Sequence, residues 1–535
     1  MALAACVVYA TALPNGLVYD DLQVIPGNPL IEKPWNVWAI FSGPYRIGQQ
    51  SVIGLAYRPL AVWSFGWNHA LNVLAGLPGN APFAFHATNV LLHAAACMAL
   101  YALCLRLGLG GWPGLAIALL FAVHPIHTES VTAVVNRSEV LAALLGLLFL
   151  VLHRDRRPAW ICALAALGAM WGKESGIMFL ALAPVLDLLF PAPDPRRRAA
   201  VYGSYAAVGA FWIACWWVAL REHPEQQVTP FMDNPLIGLP LVQRLLTATR
   251  IHLHYLWLQV VPVRLSSDYS FNAFPLIARP GDPHVLGALL LITAAAAAGW
   301  AFRRSHPVVT FALIAYPVLF AVTANVFVVI GCTAERHLYA PSIAWCFLIG
   351  YAAWRARERW GKPVSVAFAA LLAAYGALTL ARNRTWANEL ALFEAQAASA
   401  PASVRARFNY GTLLVKLAEN ERAVPELEAA ASIYPGHPDI FYNLGNALRL
   451  SRADPERVVR AYREAIRLDP GNRPAISNLA VYLTELGRRR EARPLVLELA
   501  RLDPGYHSLP LLYRLLRMPP PGRANAGEPE SVRIP

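Results

Sequence analysis

From Trp112 the chain reads Trp112-Pro113-Gly114-Leu115-Ala116-Ile117-Ala118-Leu119-Leu120-Phe121-Ala122-Val123-His124-Pro125-Ile126-His127-Thr128-Glu129. An apolar run ends at Val123, and a polar cluster closes on it at once. The run predicts a helix in a low-dielectric surrounding, and the cluster marks where that helix stops. Pro125 has no N–H to continue the helical ladder, so it makes the break. The cluster admits three readings. His124, His127 and Glu129 are plausible metal ligands, although nothing nearby completes a zinc set. They could orient a phosphate or an acceptor. They could also be a rim of interfacial side chains between one span and the next.

Composition extends this local reading to the whole chain. Of 535 residues, 57% are hydrophobic and 15% charged, against about 25% charged in a soluble domain. This describes an integral membrane protein with a more polar part attached. The 46 Lys and Arg outnumber the 33 Asp and Glu, for a net charge of +13. Their clustering in short loops between apolar runs is what membrane orientation requires, and no nucleic-acid partner is expected. Seven cysteines lie in or beside apolar runs without paired spacing, which suggests neither a zinc site nor a disulfide framework.

About eleven spans are expected. The first is Met1 to Leu13, which is short and lacks the basic flank and cleavage site of a signal peptide, so a few residues are expected upstream of it. The others are Phe85 to Leu105, Trp112 to Val123, Val140 to Leu152, Ala159 to Met170, Ile177 to Phe190, Val201 to Leu220, Val285 to Phe302, Val308 to Ile330, Leu338 to Trp354 and Pro363 to Ala381. Arg154 to Arg157, Arg196 to Arg198, Arg303-Arg304 and Arg355 to Lys362 should be cytoplasmic. These agree only if Arg244 to Pro262, which mixes charge with Leu and Trp, is interfacial or re-entrant. The amino terminus is then cytoplasmic. The loop 19–84, the His124 to Glu129 cluster, Lys173-Glu174, Ser267-Asp268-Tyr269, Glu335-Arg336 and everything after Arg382 lie outside, so charged clusters converge on one face. Trp35, Trp38, Tyr45, Tyr57 and Trp63 give the long loop an interfacial character.

The membrane domain is expected over 1–381 and a repeat domain over 382–517. Pro401, Pro435, Pro470 and Pro504 recur at intervals of 34, 35 and 34 by subtraction. Asn409-Tyr410-Gly411, Asn443-Leu444-Gly445 and Asn478-Leu479-Ala480 keep one register inside them. This is the tetratricopeptide pattern, with units at 402–435, 436–470 and 471–504. The middle unit carries an extra residue near Ala453 to Glu456. A half-unit is expected at Glu389 to Ala400, a capping helix near Leu509 to Leu516, and a disordered tail over 518–535. The fold class is therefore all-α, a polytopic helical bundle followed by an α-solenoid.

Three groups of residues bear on chemistry. Asp20 and Asp21 follow Tyr19 just after the first apolar run. Either could be a general base or a metal ligand, one acting as base while the other orients a divalent cation or the acceptor; the alternative is a solvated turn or cap. Arg58, Arg137, Lys173 and Arg336 are outer-face cations able to hold a phosphate, with ion pairs to Glu139, Glu174 or Glu335, or snorkelling, as the alternative. Asn409, Asn443 and Asn478 occupy equivalent positions on successive helices and could hold the backbone of an extended peptide, although Asn is common there. Asn89 and His93 share a helix face at i and i+4 and read as interhelical hydrogen-bonding residues.

Val18-Tyr19-Asp20-Asp21, Phe85-His86-Ala87-Thr88-Asn89-Val90-Leu91-Leu92-His93, the His124 to Glu129 cluster, Gly172-Lys173-Glu174-Ser175-Gly176 and Ala334-Glu335-Arg336-His337-Leu338-Tyr339 resemble the transmembrane and tetratricopeptide-repeat-containing (TMTC) proteins. That family is similar to protein O-mannosyltransferases of the membrane-embedded GT-C type. The resemblance spans nearly the whole chain, with fewer repeats than animal members. It implies a sugar, mannose first, moved from a polyprenyl (dolichyl or undecaprenyl) phosphate to Ser or Thr of exported polypeptides outside the cytosol. A donor there must ride on a lipid, because nucleotide sugars are not supplied. The expected site is Asp20, Asp21 and Glu129 for catalysis. Arg336, Lys173, Arg58, Arg137, His124 and His127 would serve the donor phosphate, and Asn409, Asn443 and Asn478 the acceptor. Displacement at the anomeric carbon should invert it. The expected setting is a bacterial inner membrane with periplasmic repeats, or an endoplasmic reticulum membrane with luminal ones. A non-catalytic repeat scaffold is the rival reading. A transporter ranks last, since the charges sit at span ends and no inverted repeat is evident.

Overall fold

The computed structural model describes residues 1–45, 56–191, 198–221, 234–326 and 333–519. Every regular element among them is a helix. The chain divides into two compact units, Met1–Ala400 and Pro401–Pro535. The helix Glu389–Ser399, expected as a half-repeat, lies in the first. Arg196, Arg197, the carboxyl end of the Val308 to Ile330 run and the tail beyond residue 519 lie outside the described residues.

The chain is a multi-pass membrane protein, and each of the eleven apolar runs carries a helix. Among the described residues, five helices are long and apolar enough to cross a membrane: Pro82–Arg106, Val134–Arg154, Ala200–Leu220, Pro283–Phe302 and Lys362–Trp386. Trp112–Val123 with Pro125–Thr132 makes a sixth, bent by 49°. Three further apolar helices are shorter: Ala2–Ala12, Ala159–Gly172 and Pro307–Thr323. Among the described residues, length and composition therefore support five crossings, or six if the bent pair is one span, and the expected eleven are not reached on those grounds. The bend has a local cause. A residue before proline is pushed out of the helical region, and His124 is extended at φ −69°, ψ 125°. The 241–262 stretch forms one unbroken helix, Leu241–Val260, which fails the apolarity test for a span.

Close packing in the first unit depends on small residues and polar clasps. A Cβ on Gly350 would stand 2.5 Å from Cγ1 of Ile117 and 3.0 Å from its backbone nitrogen, so only glycine lets those helices approach so closely. Asn383 donates to the Val8 carbonyl at 2.9 Å and accepts from Thr132 at 3.0 Å. Asn89 donates to the carbonyls of Val131, Ala133 and Val134, and His93 bonds Tyr339 at 2.7 Å. Both side chains thus serve as interhelical clasps. Such bonds answer the polar groups that lipid cannot solvate.

The second unit is built of helix pairs: Val404–Lys416 with Asn420–Ile433, Pro438–Leu450 with Pro455–Leu468, and Arg473–Glu485 with Arg489–Leu502, then Leu509–Leu516. Gly411 and Gly445 are the contact points inside the first two pairs. A Cβ there would meet Leu427 at 2.6 Å and Tyr462 at 2.7 Å. The turn between helices spans 417–419 and 486–488 in the outer pairs but 451–454 in the middle one, which is where the extra residue lies.

Candidate functional site

The first loop enters through a strained corner. Tyr19 sits at φ 52°, outside the favoured region for a bulky residue, and caps the short helix Asp20–Val24. The corner turns the two carboxylates to different surroundings. Asp21 is fully buried. One of its oxygens accepts the Val135 N–H at 2.9 Å and the other the Val18 N–H at 3.3 Å. It ties the loop to the turn ahead of the helix Arg137–Arg154. Burial pushes its carboxyl up to about 7, against the backbone donors that pull it down. Asp20 remains half-buried, and its negative charge helps hold the Arg336 guanidinium in its charged form.

Glu129 is 1% exposed and holds Arg336 twice. Its Oε2 accepts the Arg336 backbone N–H at 2.9 Å, and its Oε1 pairs with the guanidinium. Burial works against the charged form of Arg336, but Glu129 and then Asp20 outweigh it and hold its pKa above the ordinary value. Lys173 pairs with Glu139, and Arg58 pairs with Glu174 at 3.2 Å. Glu174 also accepts the Tyr57 N–H at 3.2 Å. The Gly172-to-Gly176 motif makes this possible. A Cβ on Gly172 would lie 3.0 Å from the Ala142 nitrogen, and one on Gly176 2.3 Å from the Ala169 carbonyl oxygen. Burial depresses Lys173; Glu139 opposes that, and Arg58 and Arg336 add to it. His337 is held well below the histidine range by burial and by Lys173, Arg336 and Arg58 together. These cations therefore share one electrostatic neighbourhood, contributed by the first loop, the 173–177 turn and the 335–338 turn.

Three residues expected at the phosphate are placed elsewhere. Arg137 is fully buried, with its guanidinium donating to Asn89 at 2.6 Å, Ser64 at 3.1 Å and the Phe85 carbonyl at 2.9 Å. It also lies over the Phe65 ring at 4.6 Å. His124 bonds the Gln259 carbonyl at 3.0 Å and accepts the Ile126 N–H at 3.2 Å. His127 bonds the Phe121 carbonyl at 2.8 Å and Ser342 at 2.7 Å. Both ring nitrogens of each histidine are thus engaged within the protein. Arg336 also pairs with Glu129, not with its neighbour Glu335. Among the described residues, no group of three or more His, Cys, Asp or Glu is arranged to hold a metal ion. Asp21, expected as a base or as the ligand of a divalent cation, has both oxygens accepting backbone N–H groups.

Glu335 is the residue that sequence reasoning passed over, as a mere pairing partner. It is fully buried. Oε1 accepts the Tyr269 hydroxyl at 2.9 Å and the Ser266 N–H. Burial raises its pKa to about 8, with Arg382 opposing and Glu129 adding to the rise. In the second unit Asn409, Asn443 and Asn478 recur on the first helix of each pair and are half-buried. Asn443 donates to the Asp439 carbonyl at 2.9 Å, and Asn478 to Asn446 at 2.9 Å.

Taken together, these elements make a multi-pass membrane protein with a cluster of paired cations and acids at its loops and a helical-repeat unit after it. Known proteins give that class a family likeness. The family model described as Protein O-mannosyl-transferase TMTC, DUF1736, matches residues 227–296. Human protein O-mannosyl-transferase TMTC1 is 28% identical over 84% of this chain and 56% of its own length. The Xenopus laevis relative tmtc2 is 29% identical over 81% of this chain and 62% of its own. Mouse TMTC3 is 26% identical over 94% of this chain and 63% of its own. The resemblance to the TMTC proteins therefore runs over most of the chain, while the chain spans little more than half the length of the curated relatives it matches. YrrB, a TPR protein of known structure, aligns at 21% identity over 30% of this chain and 82% of its own, with a TM-score of 0.22. The repeat assignment rests on the helix pairs themselves.

Proposed function

We propose that this protein is a membrane protein O-mannosyltransferase. It moves mannose from a polyprenyl-phosphate donor to Ser or Thr of polypeptides on the non-cytosolic face. The observation that carries the reading is the neighbourhood of Arg58, Lys173 and Arg336 with Asp20, in a chain similar to proteins named for this activity.

Transfer passes through an oxocarbenium-like state. It needs a base for the hydroxyl proton and cations for the departing phosphate. Asp20 is the proposed base, since it keeps access to solvent and the charged form of Arg336 depends partly on it. Arg336, aimed by Glu129, takes the phosphate, with Lys173 and Arg58 completing the charge. The hydroxyl attacks opposite the phosphate, so a β-linked donor gives an α-linked product. Where a divalent cation takes part, Asp20 is the carboxylate proposed to orient it. The repeat unit, through Asn409, Asn443 and Asn478, binds the acceptor backbone. The test is transfer of labelled mannose from polyprenyl-phosphate mannose to a Ser/Thr peptide by purified protein, with product linkage read by NMR. Transfer with inversion supports the reading. Retention rejects the single displacement, and absence of transfer from any lipid-linked sugar rejects the enzyme.

A further inference from the structure

Glu335 has one oxygen unaccounted for. Oε1 is taken by Tyr269 and Ser266, but Oε2 is fully buried and has no hydrogen-bond partner. Nη2 of Arg382 forms an ion pair with it at 3.8 Å, too long for a direct hydrogen bond, and neither Nη2 nor Nε of Arg382 has a hydrogen-bond partner. Leaving such groups unanswered in a protein interior is costly, and an orphaned acceptor facing an orphaned donor is a request for a bridging ligand. The chemistry of that ligand can be narrowed. A bare cation would be refused by the guanidinium. An anion suits the pair only when Glu335 is protonated. A hydroxyl both donates and accepts, so it suits the pair in either protonation state.

We propose that Glu335 and Arg382 form a subsite for the hydroxyl groups of the transferred sugar, next in sequence to the phosphate cation Arg336. The inference rests on the transferase reading and adds to it where the sugar is recognised. Arg336, held in place by Glu129, takes the leaving phosphate. The neighbouring turn reads the ring through Glu335, with Arg382 opposite it at the carboxyl end of the Lys362–Asn383 helix. Sites that hydrogen-bond a substrate hydroxyl discriminate strongly against analogues lacking it, because the protein groups are then left unpaired.

The test measures binding of two lipids to detergent-purified full-length protein: polyprenyl-phosphate mannose, and polyprenyl phosphate without sugar. Wild type is compared with Glu335→Gln and Arg382→Lys, each first checked for an unchanged elution profile and a single cooperative melt above the assay temperature. The expected result is at least a tenfold loss of affinity for the mannosyl lipid in both variants, with affinity for the plain phosphate unchanged. Arg382→Lys keeps the charge and serves if Glu335→Gln does not fold. An equal loss for both lipids overturns the subsite in favour of a phosphate contact. No loss for either means the gap holds water only and also overturns it. If wild type transfers no sugar yet the variants lose mannosyl-lipid affinity selectively, the subsite stands and the transferase reading fails.

Discussion

Glu129 grips Arg336 at both ends, one carboxylate oxygen on its backbone N–H at 2.9 Å and the other on its guanidinium. The two residues are 207 positions apart. The grip fixes the direction of the cation as well as its charge, since Glu129 is 1% exposed and has no freedom to follow a wandering side chain. In the proposed reaction the departing phosphate would meet a guanidinium already oriented.

Removing the carboxylate should therefore cost stability and binding together. Glu129→Gln leaves a largely buried cation without its counter-charge, a loss of about 3–5 kcal/mol for pairs of this kind. Adding Arg336→Met should restore much of the stability but none of the affinity for polyprenyl phosphate. Thermal melts and lipid binding on the single and double variants check this. A double variant that binds as wild type would remove Arg336 from the phosphate site.

Stability should fall as pH rises through neutrality. Burial raises Asp21 from 3.8 to about 7 and Glu335 from 4.5 to about 8. Both groups are thus held protonated in the folded chain at pH values where the unfolded chain has lost the proton. Their contribution is fully present below their unfolded values and is lost as pH passes through their folded ones. Each group gives a slope of at most about 1.4 kcal/mol per pH unit. Melting temperatures of wild type and Glu335→Gln between pH 5 and about 9 test it. The variant should show the shallower decline.

Much of this architecture can be read from the chain, because the signals are local. Apolar runs announce helices residue by residue, and the prolines of the repeats keep their spacing whatever lies elsewhere. The number of crossings is less local, since Trp112–Val123 and Pro307–Phe320 are too short to decide the matter alone. The site was legible as a set of residue types but not as pairings. Asp20 and Asp21 are indistinguishable in sequence, and only the fold turns one inward onto Val135. Arg137 has the appearance of a phosphate ligand until its three acceptors are seen. Glu335 was concealed by Arg336, whose true partner comes from the far side of the chain.

The repeat turns offer a backbone test. Ala418, Arg452 and Gly487 occupy the same corner of successive turns at φ 62°, 55° and 75°. Only glycine takes that conformation without strain. Ala418→Gly should leave the repeats slightly more stable, and Gly487→Ala should cost about 1 kcal/mol. Hydrogen exchange in the flanking helices of the full chain reads both. No change in either variant would mean that the turns relax freely.

Contacts at the small positions predict a larger effect. Gly445→Ala places a methyl 2.7 Å from the Tyr462 ring. Overpacking of this kind costs about 1–3 kcal/mol. The second helix pair should lose exchange protection while the first unit keeps its own, and unchanged protection would refute the packing account.

In the proposed reaction Asp20 takes the hydroxyl proton while Asp21 supports the loop. Asp20→Asn protein separates these roles by its rate of mannose transfer from polyprenyl-phosphate mannose to a Ser/Thr peptide, with donor affinity measured on the same preparation. The account predicts a fall of about 10²–10⁴-fold in rate with the fold intact and donor affinity little changed. Asp21→Asn should instead lower the melting temperature. An Asp20→Asn protein that transfers mannose at the wild-type rate would contradict the account.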